Sequence, residues 1–315
     1  MPNATILLGD ARTRLADIPD QSVQCVITSP PYWGLRDYGT TNQIGLEQTP
    51  SDYVREMVTV FDAVWRVLKD DGVLWLNLGD SYAGNTSRAS TNGRAGYGTE
   101  REGVFTKTGD GIKPKDLVGV PWRVAFALQE AGWYLRQDII WHKPNPMPES
   151  VTDRCTKAHE YLFLLSKSPR YLFDNKAIAE DAVTSNTGHR FGGSKYGDSE
   201  DEFHRTKGET YTATGKRNKR DVWTIPTKPF KGAHFAVMPE ALVQPCVLAS
   251  STEGDTILDP FTGSGTVAVV ALQHNRNFIG TELNPEYASI AEQRITSVNP
   301  MFNTVTINTE EKETK

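Results

Sequence analysis

The sequence lacks the features that would place it in several common classes. It holds no apolar run near the ~20 residues that a membrane-spanning helix needs, so no membrane role is expected. It begins Met1-Pro-Asn-Ala-Thr5, without the basic stretch and apolar run of a secretory leader. Its three cysteines, Cys25, Cys155 and Cys246, are odd in number and widely spaced. That argues against a disulfide framework and for a reducing cytoplasm. The six histidines are scattered and no Cys or His pair has zinc-ligand spacing, so no metal is expected. A net charge of −5 gives no global sign of nucleic acid, and any such role must sit in local patches. The GxGxxG cradle of dinucleotide folds is also missing.

What is present is the composition of an ordinary globular chain. With 38% hydrophobic and 23% charged residues over 315 positions, it can build one large α/β domain carrying an insertion. Thr5–Leu8, Val23–Thr28 and Val73–Asn77 read as strands, with helices over Ala11–Ile18 and Tyr53–Leu68. Leu117–Ala131 reads as a helix and Trp133–Trp141 as a strand. Tyr161–Leu165 and Tyr171–Phe173 read as paired strands around the Ser168-Pro169 turn. In the last third the pattern is a helix near Pro239–Ala249, strand Thr256–Asp259, helix Val267–Gln273 and strand Phe278–Glu282. Alternating strands and helices predict a mostly parallel twisted sheet. Two polar, Gly-rich stretches interrupt it, Ser81–Lys115 and Asn175 to about Asp221, the second ending in Lys216-Arg-Asn-Lys-Arg220.

Asp259-Pro-Phe-Thr-Gly-Ser-Gly-Thr266 lies between a strand and a helix, where α/β sheets bind nucleotides. Gly263 and Gly265 permit a tight turn and close approach of a ligand. The helix that follows offers unpaired N–H groups to an anionic group. Glu282 ends the next strand about 20 residues on, the place of a ribose-binding acid. A glycine pair alone is more often a plain strand–helix turn. The whole unit, without a pyrophosphate cradle, fits S-adenosylmethionine better than NAD.

At the end of Val23–Thr28 stands Ser29-Pro-Pro-Tyr32-Trp-Gly34. By itself a Pro-Pro turn with packing aromatics would explain it. Together with Asp259-Pro-Phe-Thr-Gly-Ser-Gly-Thr266, however, it resembles the amino-group DNA methyltransferases, which modify N4 of cytosine or N6 of adenine. The SPPY element comes first and the cofactor glycines last, an order similar to the family's β class, which is circularly permuted. Asp116–Arg123, Asp138–Lys143, His159-Glu-Tyr161 and His234–Glu240 look like the family's intervening blocks, so the resemblance spans nearly the whole chain.

The resemblance implies a Rossmann-like methyltransferase fold with an inserted target-recognition region. The expected organisation is a catalytic half over 1–174, the insertion over 175–225, a cofactor-binding half over 226–302 and a flexible tail over 303–315. It implies S-adenosylmethionine held by Asp10 (adenine), Phe235 (methionine end), Asp259, Phe261, Thr262, Gly263, Ser264, Gly265, Glu282 (ribose) and Asn284. Asp10 equally suits a helix N-cap. Catalysis falls to Ser29, Pro30, Pro31 and Tyr32. An exocyclic amine has its lone pair drawn into the ring, and acceptors for its N–H groups make it a better nucleophile. Ser29 Oγ and the Pro30 carbonyl supply them, the prolines fix the backbone, and Tyr32 stacks on a base flipped out of the duplex.

The partner implied is double-stranded DNA, with Arg190, Arg205, Lys216, Arg217, Lys219 and Arg220 as contact candidates. A charge run is as often a solvated face. The family admits a cognate restriction endonuclease, a monomer or homodimer, and a bacterial or phage-encoded cytoplasmic enzyme. Ser29 favours cytosine N4, since N6-adenine enzymes more often carry Asp or Asn there. The rival classes are a non-catalytic nucleic-acid-binding protein on the same scaffold and, more remotely, a nicotinamide oxidoreductase. Pro245-Cys246 resembles the nucleophile dipeptide of C5-cytosine enzymes, but it sits in an apolar helical pattern and reads as core.

Overall fold

Short apolar runs and helical stripes alternate from the first residues. β1 (Asn3–Leu8) leads into α1 (Ala11–Arg14). β2 (Val23–Thr28) is buried at every position, as a strand covered on both faces must be. α2 (Pro50–Val67) starts where Thr49 accepts from Asp52 N and Pro50 takes the first helical position. It buries Tyr53, Met57, Val60, Phe61 and Val64 on one face and passes directly into β3 (Leu68–Leu78). α3 (Val120–Glu130), β4 (Tyr134–His142) and β5 (His159–Ser166) follow. β6 (Glu180–Asp181), β7 (Lys216–Arg217) and β8 (Val222–Thr224) are short. The chain ends with α4 (Glu240–Ser250), β9 (Thr256–Asp259), α5 (Thr266–Gln273), β10 (Asn277–Glu282), α6 (Pro285–Val298) and β11 (Thr304–Asn308). This computed structural model describes residues 2–35, 39, 40, 42–84, 110–182, 215–227, 237–298 and 304–308.

Nine strands form one sheet in the order β11-β1-β10-β9-β2-β3-β5-β4-β8. All neighbours are parallel except β5, which runs antiparallel to both β3 and β4. Side chains alternate between two faces. Cys25, Ile27 and Trp75 join α4, α5 and α6 in one core, while Val26, Leu74 and Leu76 join α2 and α3 in the other. The carboxyl ends of β1, β10, β9 and β2 therefore share one edge. That edge holds Gly9-Asp10, Glu282, the glycine turn and Ser29-Pro-Pro-Tyr32. Among the described residues no helix is long and apolar enough to cross a membrane.

Several expectations are corrected. Tyr171–Phe173 is not a strand; β5 pairs instead with β3 and β4, because its alternate residues are needed in both cores. The helix expected from Leu117 starts at Val120. Gly119 is left-handed there, and Asp80 from the end of β3 accepts from Gly119 N and Val120 N at 3.0 Å. Ala11–Ile18 is helical only to Arg14 and then tightens to a 3₁₀ turn over Leu15–Asp17. Residues 222–224, placed in the insertion, are the edge strand of the main sheet, and Trp223 is buried. Residues 304–308, placed in a flexible tail, pair with β1. Cys246, by contrast, is the core residue expected, buried in α4 with its thiol donating to the Leu242 carbonyl.

Candidate active site

The glycine turn is built by β9, α5 and β10. Gly265 is left-handed (φ 77°) at the start of α5, and a Cβ there would lie 2.9 Å from Ala291 Cβ, so only glycine lets α6 pack this close. Glu282 closes β10 with its carboxylate turned back into the turn. Oε2 accepts from Gly263 N at 2.7 Å and Oε1 from Asn284 N at 2.8 Å. Burial pushes its carboxyl up to about 7, against the opposing pull of these N–H groups. Ser264 and Thr266 are held by Arg294 of α6, which donates to Ser264 O (2.6 Å), Ser264 Oγ (2.7 Å) and Thr266 Oγ1 (3.1 Å). Thr262 N donates to the Thr281 carbonyl, and Phe261 N donates to Asp259 Oδ1 at 3.0 Å.

Asp259 is buried and its carboxyl is also raised by burial to about 7. Its Oδ1 accepts from Thr28 Oγ1 at 2.7 Å. This bond ties the last residue of β2 to the last of β9, across 231 positions of chain. On the other side, Gly9 N donates to the Glu282 carbonyl at 2.8 Å and brings Gly9-Asp10 beside Glu282. Asp10 itself caps α1, accepting from Arg12 N at 2.9 Å and pairing with the Arg12 guanidinium, which also reaches Glu56. The N-cap reading of Asp10 is thus realised.

Ser29-Pro-Pro-Tyr32 leaves β2 one residue after Thr28. Tyr53 of α2 donates to the Pro31 carbonyl at 2.9 Å. Ser29 Oγ is 3.2 Å from Tyr32 Oη. Tyr32 Oη reaches Glu160 Oε2 of β5 at 2.9 Å and Asn77 Oδ1 of β3 at 3.1 Å. Lys143 is ion-paired with Glu160 and lies 4.3 Å over the Trp141 ring. Burial, reinforced by the Glu160 charge, pushes the Tyr32 phenol well above its ordinary range, so it stays protonated. Tyr32 is therefore anchored through its hydroxyl, with its ring half-buried, rather than loose over the site.

This edge, with a rigid acceptor turn beside a buried glycine turn and its terminal acid, is where the matching family lies. The sequence model of a family described as DNA methylase matches residues 23–293. The chain belongs to that family. Among relatives of this methylase, the Type II methyltransferase M.Cfr9I of Citrobacter freundii is 48% identical over 299 residues. The match covers 93% of this chain and 87% of that protein. Of solved structures, the PvuII DNA methyltransferase (cytosine-N4-specific) superposes with a TM-score of 0.63 at 20% identity, covering 95% of this chain and 92% of that one. The putative DNA modification methylase TTHA0409 from Thermus thermophilus, solved with S-adenosyl-L-methionine, gives 0.61 at 23% identity over 98% and 100%. These two establish the shared fold.

Of the residues read from sequence, Ser29, Pro30, Pro31, Tyr32, Asp10, Asp259, Phe261, Thr262, Gly263, Ser264, Gly265, Glu282 and Asn284 fall along the one edge. Phe235, Arg190 and Arg205 lie outside the described residues. The basic run is placed away from these turns, on β7 and the segment before β8. Lys216 pairs with Asp181, Arg217 and Arg220 with Glu180, and Lys219 lies 4.8 Å over the Trp223 ring. Sequence reasoning missed Thr28, Tyr53, Asn77 and Arg294 as site residues, and Lys143 and Glu160 stood only within family blocks. One signal was available: Asn77, a polar residue inside the apolar strand Val-Leu-Trp-Leu-Asn-Leu78, has to have a buried partner.

Proposed function

We propose that this DNA methylase transfers a methyl group from S-adenosylmethionine to the N4 amine of a cytosine flipped out of double-stranded DNA. The observation that carries the reading is the Ser29 hydroxyl, held at the carboxyl edge of β2 by Tyr32 and one residue from the bond between Thr28 and Asp259. The glycine turn fits the cofactor. Glu282, already turned inward, is a strong acceptor for ribose hydroxyls, and Asp259, Phe261, Thr262, Gly263, Ser264, Gly265 and Asn284 line the same turn, with Phe235 toward the methionine end. Asp10, engaged with Arg12, is left with its second-rank place beside Glu282. When bound, S-adenosylmethionine supplies an electrophilic methyl on a sulfonium.

This chain's residues supply the rest. Ser29 Oγ and the Pro30 carbonyl accept from the amine and turn its lone pair outward. Pro30 and Pro31 keep both acceptors in place, and the Tyr32 ring stacks on the flipped base. Lys216, Arg217, Lys219 and Arg220 supply phosphate contacts, and Arg190 and Arg205 reach base edges. Surface ion pairs such as those of Lys216 and Arg220 contribute little, so exchange of Glu180 or Asp181 for phosphate costs little. The expected organisation into catalytic half, recognition insertion and cofactor half, a bacterial or phage-encoded cytoplasmic origin, a restriction endonuclease partner and a monomer or homodimer fit this reading.

Incubation with S-adenosylmethionine and unmethylated bacterial DNA, followed by nucleoside mass spectrometry, tests it. N4-methylcytosine is expected, and Ser29→Ala should lower kcat about a hundredfold with cofactor affinity unchanged. N6-methyladenine would overturn the assignment of the base. Cofactor binding with no methylated base would favour a nucleic-acid-binding protein.

A further inference from the structure

The Ser29–Tyr32–Glu160 chain has a direction, and that direction decides whether Ser29 can help the amine. A serine hydroxyl has one hydrogen to give and two lone pairs to offer. If its hydrogen faced the target nitrogen, it would compete for the lone pair that has to attack. The hydrogen must therefore be given elsewhere. Tyr32 Oη, 3.2 Å away, is the acceptor that the described residues offer it.

Tyr32 accepts only if its own hydrogen points away from Ser29. Both of its other neighbours see to that. The Glu160 carboxylate offers Tyr32 an acceptor oxygen, and its far oxygen is held by the Lys143 ammonium. Asn77 donates through Nδ2 to the Tyr161 carbonyl at 3.0 Å, which turns its Oδ1, also an acceptor, toward Tyr32. Tyr32 thus gives its hydrogen to Glu160 or Asn77 and takes the one from Ser29. Ser29 keeps its lone pairs for the substrate.

We infer that Glu160 is a positioning residue that sets the direction of this chain, so that Ser29 Oγ meets the target amine as an acceptor. The inference rests on the acceptor role given to Ser29 above and extends the machinery to β3, β4 and β5. Glu160→Gln keeps the shape but replaces one oxygen with an N–H donor. Lys143 draws the remaining oxygen, and the new donor faces Tyr32 Oη, competing with Ser29 for it.

The test is a double-mutant cycle on the full chain, with Glu160→Gln, Ser29→Ala and both together. The readouts are kcat, KM for cofactor and DNA, melting temperature and product identity. Glu160→Gln should lower kcat at least tenfold, with KM for S-adenosylmethionine within twofold of the parent. In the Ser29→Ala background it should change kcat less than twofold. Losses that multiply, or parental kcat in Glu160→Gln, would overturn the inference. Should Glu160→Gln fail to fold, Tyr32→Phe is the second arm. It keeps the ring and the Lys143–Glu160 pair and removes only the middle of the chain. It should cost at least fivefold in kcat alone and nothing further with Ser29→Ala, and multiplied losses would again refute the idea. Product identity separates the two claims: N6-methyladenine from the parent overturns the base assignment, while these rate ratios alone judge Glu160.

Discussion

Thr28→Val removes one hydroxyl and leaves the shape of a fully buried side chain nearly unchanged. The cost is the hydrogen bond to Asp259 Oδ1 at 2.7 Å, which leaves that carboxyl with Phe261 N as its remaining donor. A buried hydrogen bond is worth about 1 kcal/mol between neutral groups and about 2–3 kcal/mol to a charged one. Asp259 changes between those states near pH 7. Its folded pKa is raised above the unfolded value, so the folded chain favours the protonated form and this group's contribution to stability falls as pH rises from about 4 to about 7. Without Thr28 the ionised form is worse off still. The deficit of Thr28→Val relative to the parent should therefore be about 1 kcal/mol at pH 6 and about 2–3 kcal/mol at pH 8.5. For a chain of this length the unfolding entropy converts these to roughly 2 °C and 3–4 °C in melting temperature. Paired thermal melts at the two pH values decide it, since every other titrating group cancels in the difference. A deficit that is flat, or that shrinks toward pH 8.5, would show that Asp259 is not the partner that matters.

Other substitutions test the cofactor side. A Cβ at Gly280 would fall 2.1 Å from Thr262 Oγ1 and 2.7 Å from Phe278 Cζ, so Gly280→Ala should displace the glycine turn. It should cost about 1–3 kcal/mol and weaken S-adenosylmethionine binding by calorimetry, and unchanged affinity would refute the placement. Arg294→Met, which frees Ser264 and Thr266, should weaken cofactor affinity about tenfold without touching Ser29, and a change confined to kcat would count against it. Glu282, raised to about 7, should make the ligand-free protein about 2 kcal/mol less stable at pH 7 than at pH 5.5 from this group alone. Glu282→Gln should flatten that slope, and equal slopes in the two proteins would exclude the carboxyl as its source.

The parallel strands and the two motifs were legible in sequence because each carries a local rule. Val23–Thr28 is mostly apolar and β-branched, Pro-Pro cannot continue a strand, and the glycines stand where a strand meets a helix. α6 was overlooked although Pro285 at its first position and Ala288, Ala291 and Ile295 at helical spacing announce it. β11 was read as a tail because an edge strand of alternating Thr, Val and Ile is indistinguishable from a polar end until β1 offers it a partner. The long-range bonds had no local signature. Nothing around Thr28 in the sequence names Asp259, and Glu160 is 128 positions from Tyr32. Such pairs are products of strand order in the sheet, which spacing rules do not reach.

That strand order also explains why the two prolines follow Ser29 directly. A turn at the edge of a buried strand normally exposes backbone N–H groups that need acceptors. Residues 30 and 31 have none, so neither supplies a backbone N–H to compete with a substrate amine for Ser29 Oγ or for the Pro30 carbonyl. A turn without its own donors has lost its usual internal bonds and must be held from outside. Here four elements do so: Thr28 grips Asp259 of β9, the Pro31 carbonyl accepts from Tyr53 of α2, and Tyr32 is fixed by Asn77 of β3 and Glu160 of β5. The same residues that remove competing donors thus oblige the fold to supply distant anchors. Loosening any one anchor should lower turnover before it lowers cofactor affinity, because the glycine turn has its own supports in Glu282 and Arg294.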